Sequence, residues 1–111
     1  MKKTITELTN IVRSKNSGPY ELTLDMMFKT RKIYEYFRDQ KVIHEELICE
    51  LYQITPDKII NIVCFDPADA IKVTIARPIC SGDLGETDVY GAQQHAPLLQ
   101  IAVDMPEEVL F

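Results

Sequence analysis

The chain has 111 residues, of which 46% are hydrophobic and 26% charged, a globular composition with room for one domain that excludes a multi-domain protein. No apolar run approaches the roughly 18 to 20 residues that span a bilayer, and MKKTITELTN lacks an apolar core behind its lysines, so we expect a cytoplasmic protein without a membrane segment. A net charge of −5 disfavours nucleic-acid binding, and three widely spaced cysteines predict reduced thiols.

Residues 20–54 predict one strand and two helices. Apolar side chains occupy every second position from Tyr20 to Phe28, which is the pattern of a half-buried strand. Thr30 then stands where a helix N-cap is expected, and apolar residues at helical spacing follow it. Residues 44–54 repeat that period and predict a second amphipathic helix or a continuation of the first, with His44 exposed at its start.

The second half of the chain predicts three more strands. Residues 58–65, KIINIVCF, form an apolar, β-branched run that predicts a central strand covered on both faces. A turn containing Asp66 and Asp69 leads into a second alternating strand, which begins at Ile71, and the two strands are expected to form a hairpin. Residues 98–103 predict a last strand, and the acidic residues 104–111 predict a surface tail.

The order of these elements predicts the fold class. A strand, a helix pair, two strands, a long loop and a final strand match an α+β, ferredoxin-like or split βαβ arrangement in which residues 78–96 replace the second crossover helix. We therefore expect one domain over residues 1–111, built on a four-stranded antiparallel sheet with helices on one face.

The charge is divided unevenly, and this division points to the first candidate site. Residues 1–41 carry a balance of +4, whereas residues 42–111 carry −9. The basic part contains a glycine-bearing stretch, residues 13–19, whose cations, short polar side chains and turn-forming glycine suit a carboxylate or phosphate. The alternative is a solvated loop before a strand. The candidate anion-binding residues are Arg13, Ser14, Lys15, Asn16 and Gly18.

The second candidate site is the long segment 78–96, which shows neither helical nor strand periodicity. Loops of this length inside a compact domain are uncommon, and its composition favours an ordered loop over a disordered linker. His95 and Tyr90 are the candidate catalytic residues, because an imidazole transfers protons near neutral pH. The alternative is an ordered cover over an open sheet face. The remaining candidate pocket residues of this segment are Asp88, Gln93 and Gln94.

Other chemical signatures are weak. No pair of candidate ligands has a zinc spacing, so neither a metal ion nor a cofactor is predicted. No serine lies in a Gly-x-Ser-x-Gly context, and the glycines of residues 81–86 are not followed by a phosphate-loop lysine. The sequence leaves open whether Asp66 and Asp69 do more than form a turn.

Three stretches together resemble one family. They are RSKNSGP at residues 13–19, FDPADAIKVT at residues 65–74 and TDVYGAQQHAPLL at residues 87–99. They are similar to a family of small microbial proteins catalogued as a domain of unknown function. Its members occur beside, or fused to the C-terminal end of, the large chain of the acyclic-terpene-utilisation (AtuA) family.

The resemblance implies a small subunit that works with an AtuA-like large chain in the metabolism of organic acids, and a hydro-lyase acting on an unsaturated or branched carboxylic acid is the expected reaction. In this hypothesis Arg13 and Lys15 hold a substrate carboxylate, and His95 and Tyr90 move protons or orient the substrate. Two alternatives stay open: a regulatory or assembly module whose loops form a protein interface, and a stand-alone anion-binding domain. The chain is also a candidate oligomer.

Overall fold

The computed structural model describes residues 1–18, 21–76 and 96–110. These ranges contain six strands and four short helices. The elements are β1 (Lys2–Thr4), α1 (Ile5–Leu8), β2 (Thr9–Gly18), β3 (Glu21–Phe28), α2 (Arg31–Asp39), α3 (Glu45–Tyr52), β4 (Ile59–Phe65), β5 (Ala70–Ala76), β6 (Ala102–Asp104) and α4 (Glu107–Leu110), with 3₁₀ turns at Pro56–Lys58, Asp66–Ala68 and Ala96–Gln100.

The architecture is α+β, as predicted, and centres on a four-stranded antiparallel sheet in the order β2-β3-β5-β4. Strands β1 and β6 form a separate antiparallel pair. The prediction of four antiparallel strands is therefore confirmed, but the fourth strand comes from a different part of the chain. It is β2, which precedes β3, and not the segment 98–103.

Strands β3 and β5 form the centre of the sheet, and their burial follows the alternation in the sequence. Leu24, Met26, Ile71 and Val73 are at most 1% exposed and lie on one face. Helices α2 and α3 add Ile33, Phe37 and Ile48 to the same apolar cluster. The hydrophobic core thus lies between one face of the sheet and the helices.

Strand β4 corrects the expectation of a central strand covered on both faces. It lies at the edge of the sheet, and five of its seven residues are exposed. Strand β5 lies between β3 and β4, so β5 is the only sheet neighbour of β4 among the described residues. A continuous apolar run does not distinguish an edge position from a central one, because its periodicity is the same in both.

The helix predictions are confirmed. The Ile33 amide donates to the Thr30 side chain over 3.2 Å, so Thr30 is the N-cap of α2. His44 occupies the corresponding position before α3 and is exposed, and α3 ends where Gln53 takes a left-handed conformation, with φ of 55°.

The C-terminal part differs from the single strand predicted over residues 98–103. A 3₁₀ turn comes first, and only Ala102–Asp104 forms a strand, which pairs with β1. Leu98 and Ile101 face the core and fix this segment by burial. The expected surface tail also contributes to the core, because Met105 is 1% exposed.

Two further observations concern the sequence predictions. The described cysteines, Cys49 and Cys64, are free thiols, and Cys80 lies outside the described residues. Within the described ranges, no helix combines the length and apolarity that a bilayer crossing requires.

Candidate functional site

The face of the four-stranded sheet opposite the core carries a row of functional side chains that crosses all four strands. Arg13 on β2 is the Cα partner of Asp25 on β3, Asp25 is the partner of Lys72 on β5, and Lys72 is the partner of Val63 on β4. Side chains at directly opposite positions of antiparallel strands lie about 5 Å apart at Cβ. We call this surface the open face.

A second row lies two residues further along each strand, on the same face, and the two rows together form a groove. Lys15, Thr23, Thr74 and Asn61 are successive Cα partners across the same four strands. The groove between the two rows has a volume of about 470 Å³, within the range of small-molecule sites. Its lining residues are Lys15, Thr23, Asp25, Asn61, Val63, Phe65, Lys72 and Thr74.

Asp25 is the most unusual residue of the open face, because its carboxylate is buried. Its side chain is only 2% exposed, whereas the side chain of its partner Arg13 is 52% exposed. The Arg13 Nε–H donates to Asp25 Oδ2 over 3.1 Å. Asp25 Oδ1 is buried and has no hydrogen-bond partner in the described part of the chain. A buried acceptor without a hydrogen bond lowers the stability of the fold by roughly 1–3 kcal/mol. The unpaired Oδ1 of Asp25 therefore needs an explanation.

Lys15 and Lys72 give the groove a positive charge. Both are exposed, and neither forms an ion pair with any residue that the structure describes. The Lys72 ammonium lies 5.6 Å from the centroid of the Phe65 ring, a distance suited to a cation–π contact. Together with Arg13, three cations therefore lie on the open face, and Asp25 is the one carboxylate among the described residues that line the groove.

Apolar side chains also reach solvent on the open face. Phe65 is 46% exposed, Val63 44% and Ile11 38%. Two of the three line the groove, and Ile11 lies beyond its rim on β2, two positions before Arg13. The open face thus combines a polar, cationic centre with an apolar border.

The predicted anion-binding stretch is divided by the sheet. Residues 13–18 belong to strand β2 and not to a loop, so their side chains alternate between faces. Arg13 and Lys15 lie on the open face, whereas Ser14 and Asn16 are opposite Leu24 and Leu22, on the core side of the sheet. Gly18 is the last residue of β2 and is opposite Glu21. The structure therefore brings the two cations together and separates them from the neighbouring polar residues.

The predicted pocket residues of the second loop are not part of this description. They are Asp88, Tyr90, Gln93, Gln94 and His95, and all five lie outside the described residues.

Sequence reasoning missed Asp25 and Lys72 as site residues. The available signal was an aspartate in the middle of an apolar, alternating strand, with an arginine twelve residues earlier that becomes its partner on β2. That signal appears only if residues 13–18 are recognised as a strand.

A second polar cluster lies where helix α2 meets the β4–β5 turn. Asp66 Oδ1 accepts hydrogen bonds from the Tyr34 hydroxyl and from Arg38, and Arg31 donates to Asp69 Oδ1 over 2.8 Å. The guanidinium groups of Arg31 and Arg38 each lie 5.6 Å from the centroid of the Tyr34 ring. Asp66 and Asp69 are therefore more than turn residues, because they tie the hairpin to the helix.

The titration of this cluster follows its contacts. The hydrogen bonds from Tyr34 and then Arg38 hold the pKa of Asp66 below its ordinary value. Burial, followed by the hydrogen bond to Asp66, raises the pKa of Tyr34 to about 12. Each group is thus held in the protonation state that the hydrogen bond requires at neutral pH.

Asp66→Asn is expected to make the folding stability depend less steeply on pH at acidic pH. Since the pKa of Asp66 is lower in the folded state, its stabilising contribution is complete above about pH 4 and is lost as the pH falls through the folded-state pKa. Thermal melts from about pH 7 to about pH 2 measure this. Glu108→Gln, which removes an exposed carboxylate, is the control; an equal flattening by both variants contradicts the prediction.

A second groove, of about 510 Å³, lies between the α2–α3 junction and Gln100–Asp104. His44 lines it, and its Nδ1 lies 3.1 Å from the Lys41 carbonyl and 3.0 Å from the Val42 carbonyl. Because carbonyl oxygens only accept, Nδ1 carries a proton and donates. His44 therefore fixes the chain before α3. Nowhere in the described ranges do three His, Cys, Asp or Glu residues form a group that could hold a metal ion.

Comparison with known proteins places the chain in a family. The model of a family described as a domain of unknown function (DUF4387) matches residues 5–102, so the chain belongs to this family. No curated protein and no solved structure matches it. Nothing in these comparisons concerns the AtuA family, and the association with an AtuA-like large chain stays a prediction.

Proposed function

We propose that this member of a family of unknown function binds a small carboxylate on the open face, through Lys15 and Lys72, with Arg13 beside them. The observation that carries the proposal is that both lysines lie at one groove without an ion-pair partner among the described residues. An anion supplies the missing partner, and charge-assisted hydrogen bonds to an ammonium are among the stronger polar contacts.

The rest of the groove favours a small ligand. A volume of about 470 Å³ suits a compact molecule, and Thr23, Thr74 and Asn61 offer neutral hydrogen-bonding groups that orient it. The net charge of −5 disfavours a polyanion such as nucleic acid, because the chain as a whole repels a phosphate backbone.

We further propose that the chain is the small subunit of a two-chain enzyme, a hydro-lyase acting on an unsaturated or branched carboxylic acid, with an AtuA-like large chain. The apolar border formed by Phe65, Val63 and Ile11 supports a partner that covers part of the open face. The groove is open to solvent, and a second chain would supply the wall that excludes water from the reaction. His95 and Tyr90 stay the candidates for proton transfer.

The strand order supports a variant of the ferredoxin-like arrangement as part of this proposal. Strands β3 and β4 both run antiparallel to β5, which lies between them, and the chain connects β3 to β4 through α2 and α3. Strand β2 takes the position beside β3. With the helices on the core side, the other face of the sheet is left for a ligand and a partner.

Lys72→Ala and Lys15→Ala are each expected to weaken carboxylate binding by about tenfold or more, since each removes one charge-assisted contact worth roughly 1.5–3 kcal/mol. Isothermal titration calorimetry with a panel of mono- and dicarboxylates measures the change, and a thermal shift of the wild type supports it. Lys29→Ala, an exposed lysine that does not line the groove, is the matched control. No binding by the wild type at millimolar concentrations, or equal weakening by Lys29→Ala, contradicts carboxylate binding.

A second experiment separates the enzyme subunit from an assembly module, the function that the exposed apolar border favours as an alternative. The chain is co-expressed with an AtuA-family large chain, and the complex is assayed with unsaturated diacids. If the subunit proposal holds, Phe65→Lys releases the partner, whereas Lys72→Ala keeps the complex and lowers hydration activity. An assembly module would lose the partner with Phe65→Lys and show no dependence of activity on Lys72.

A further inference from the structure

The orphaned oxygen of Asp25 carries information about the ligand beyond its negative charge. Asp25 lines the groove, its side chain is 2% exposed, and Oδ2 is already engaged by Arg13. Oδ1 accepts no hydrogen bond from any described residue. A carboxylate ligand cannot satisfy this oxygen, because a carboxylate group only accepts hydrogen bonds.

Resting on the carboxylate binding proposed above, we propose that the ligand is a hydroxy diacid, whose two carboxylates bind Lys72 and Lys15 and whose hydroxyl donates to Asp25 Oδ1. A hydroxyl provides the donor that the buried oxygen lacks. An ammonium group would also donate, but three cations, Arg13, Lys15 and Lys72, lie on the same face as Asp25 and oppose a further positive charge.

The register of the sheet places Asp25 and Lys72, the two side chains proposed to contact the ligand, side by side. Asp25 and Lys72 are direct Cα partners on neighbouring strands, so their Cβ atoms lie about 5 Å apart. A hydroxyl on a carbon next to a carboxylate suits this arrangement, because the two side chains start from neighbouring positions on adjacent strands. Lys15 is the Cα partner of Thr23, which lies two residues along β3 from Asp25. At this position Lys15 can bind the second carboxylate of a diacid.

The test compares probes that differ in one group. Malate is succinate with one added hydroxyl, and aspartate carries an ammonium in its place. Calorimetry of the full chain is expected to give binding of malate about tenfold or more tighter than succinate, with aspartate no tighter than succinate. Asp25→Val is expected to bind malate and succinate equally, and Asp25→Ala serves as a second variant with the same expectation.

The outcomes separate this inference from the proposal on which it rests. If the wild type binds none of the three probes, carboxylate binding itself fails. If it binds malate and succinate equally, or aspartate most tightly, carboxylate binding stands and the hydroxyl contact is overturned. If Asp25→Val and Asp25→Ala melt as folded proteins and still prefer malate, the hydroxyl does not bind Asp25, and the inference is again overturned.

Discussion

Replacing Asp25 by valine is expected to make the protein more stable, by about 1–2 kcal/mol, while removing any preference for a hydroxyl-bearing ligand. The physical reason is the imbalance of its contacts. Asp25 Oδ1 is buried without a described partner, and such a group costs roughly 1–3 kcal/mol. Valine removes that cost and suits the centre of a β-strand.

The loss of the ion pair does not offset this gain. Arg13 is 52% exposed, so water solvates its guanidinium once the partner carboxylate is gone. The Asp25 carboxylate is buried, and the cost of taking its charge out of water can exceed what the attraction to an exposed guanidinium returns. A buried pair with both members enclosed would behave differently, because removing one member leaves a buried charge.

Thermal and urea unfolding of the ligand-free proteins measure the effect. A gain of 1 kcal/mol corresponds to a rise in Tm of roughly 4 °C in a domain of this size. Thr23→Val, on the same strand and the same face, is the control for the general effect of valine at the open face. If Asp25→Val unfolds at a lower temperature than the wild type, Asp25 stabilises the fold, and its orphaned oxygen is no evidence for a ligand.

The sequence predicts elements well where burial is one-sided. Strand β3 and helix α2 are recognised because their apolar side chains recur at the period of the element and meet the core. Strand β2 is not recognised, because its sequence TNIVRSKNSG is polar at both faces over most of its length. Its hydrogen-bonding partner β3, and not its own apolar pattern, holds it in the sheet.

The errors at β4 and at residues 98–103 have a common origin. Both segments are apolar enough for a strand, but their positions depend on which other segments they meet. The sheet order decides that β4 is at an edge, and burial of Leu98 and Ile101 decides that a 3₁₀ turn precedes β6. These tertiary contacts cannot be deduced from the residues of the segment alone.

The candidate site was predictable only in part for the same reason. Arg13 and Lys15 are close in sequence, so the amino-acid sequence alone reveals this pair of cations. Asp25 and Lys72 join them through strand pairing across three separate segments. The distinction between Lys15, on the open face, and Ser14, on the core side, requires knowing that the segment is extended.

Phe37→Ala is expected to cause a large loss of stability, about 3–5 kcal/mol, by leaving a cavity in the core. Phe37 is fully buried on α2, and its ring centroid lies 4.6 Å from that of Phe28, at the end of β3. The ring therefore anchors the helix layer to the sheet. Because domains of this size are stable by only about 5–15 kcal/mol, urea unfolding should show a much lower midpoint.

Phe37→Leu should lose less, since it keeps most of the apolar volume, and Tyr36→Ala, at a half-buried neighbouring position, is the control for helix α2. Phe37 lies on the core side of the sheet, so the folded fraction of Phe37→Ala should bind malate with unchanged affinity at low temperature. Lys72→Ala should show the reverse, with normal stability and weak binding. A variant of Phe37 that stays fully folded and loses binding would instead place the ligand on the helix side, away from the open face.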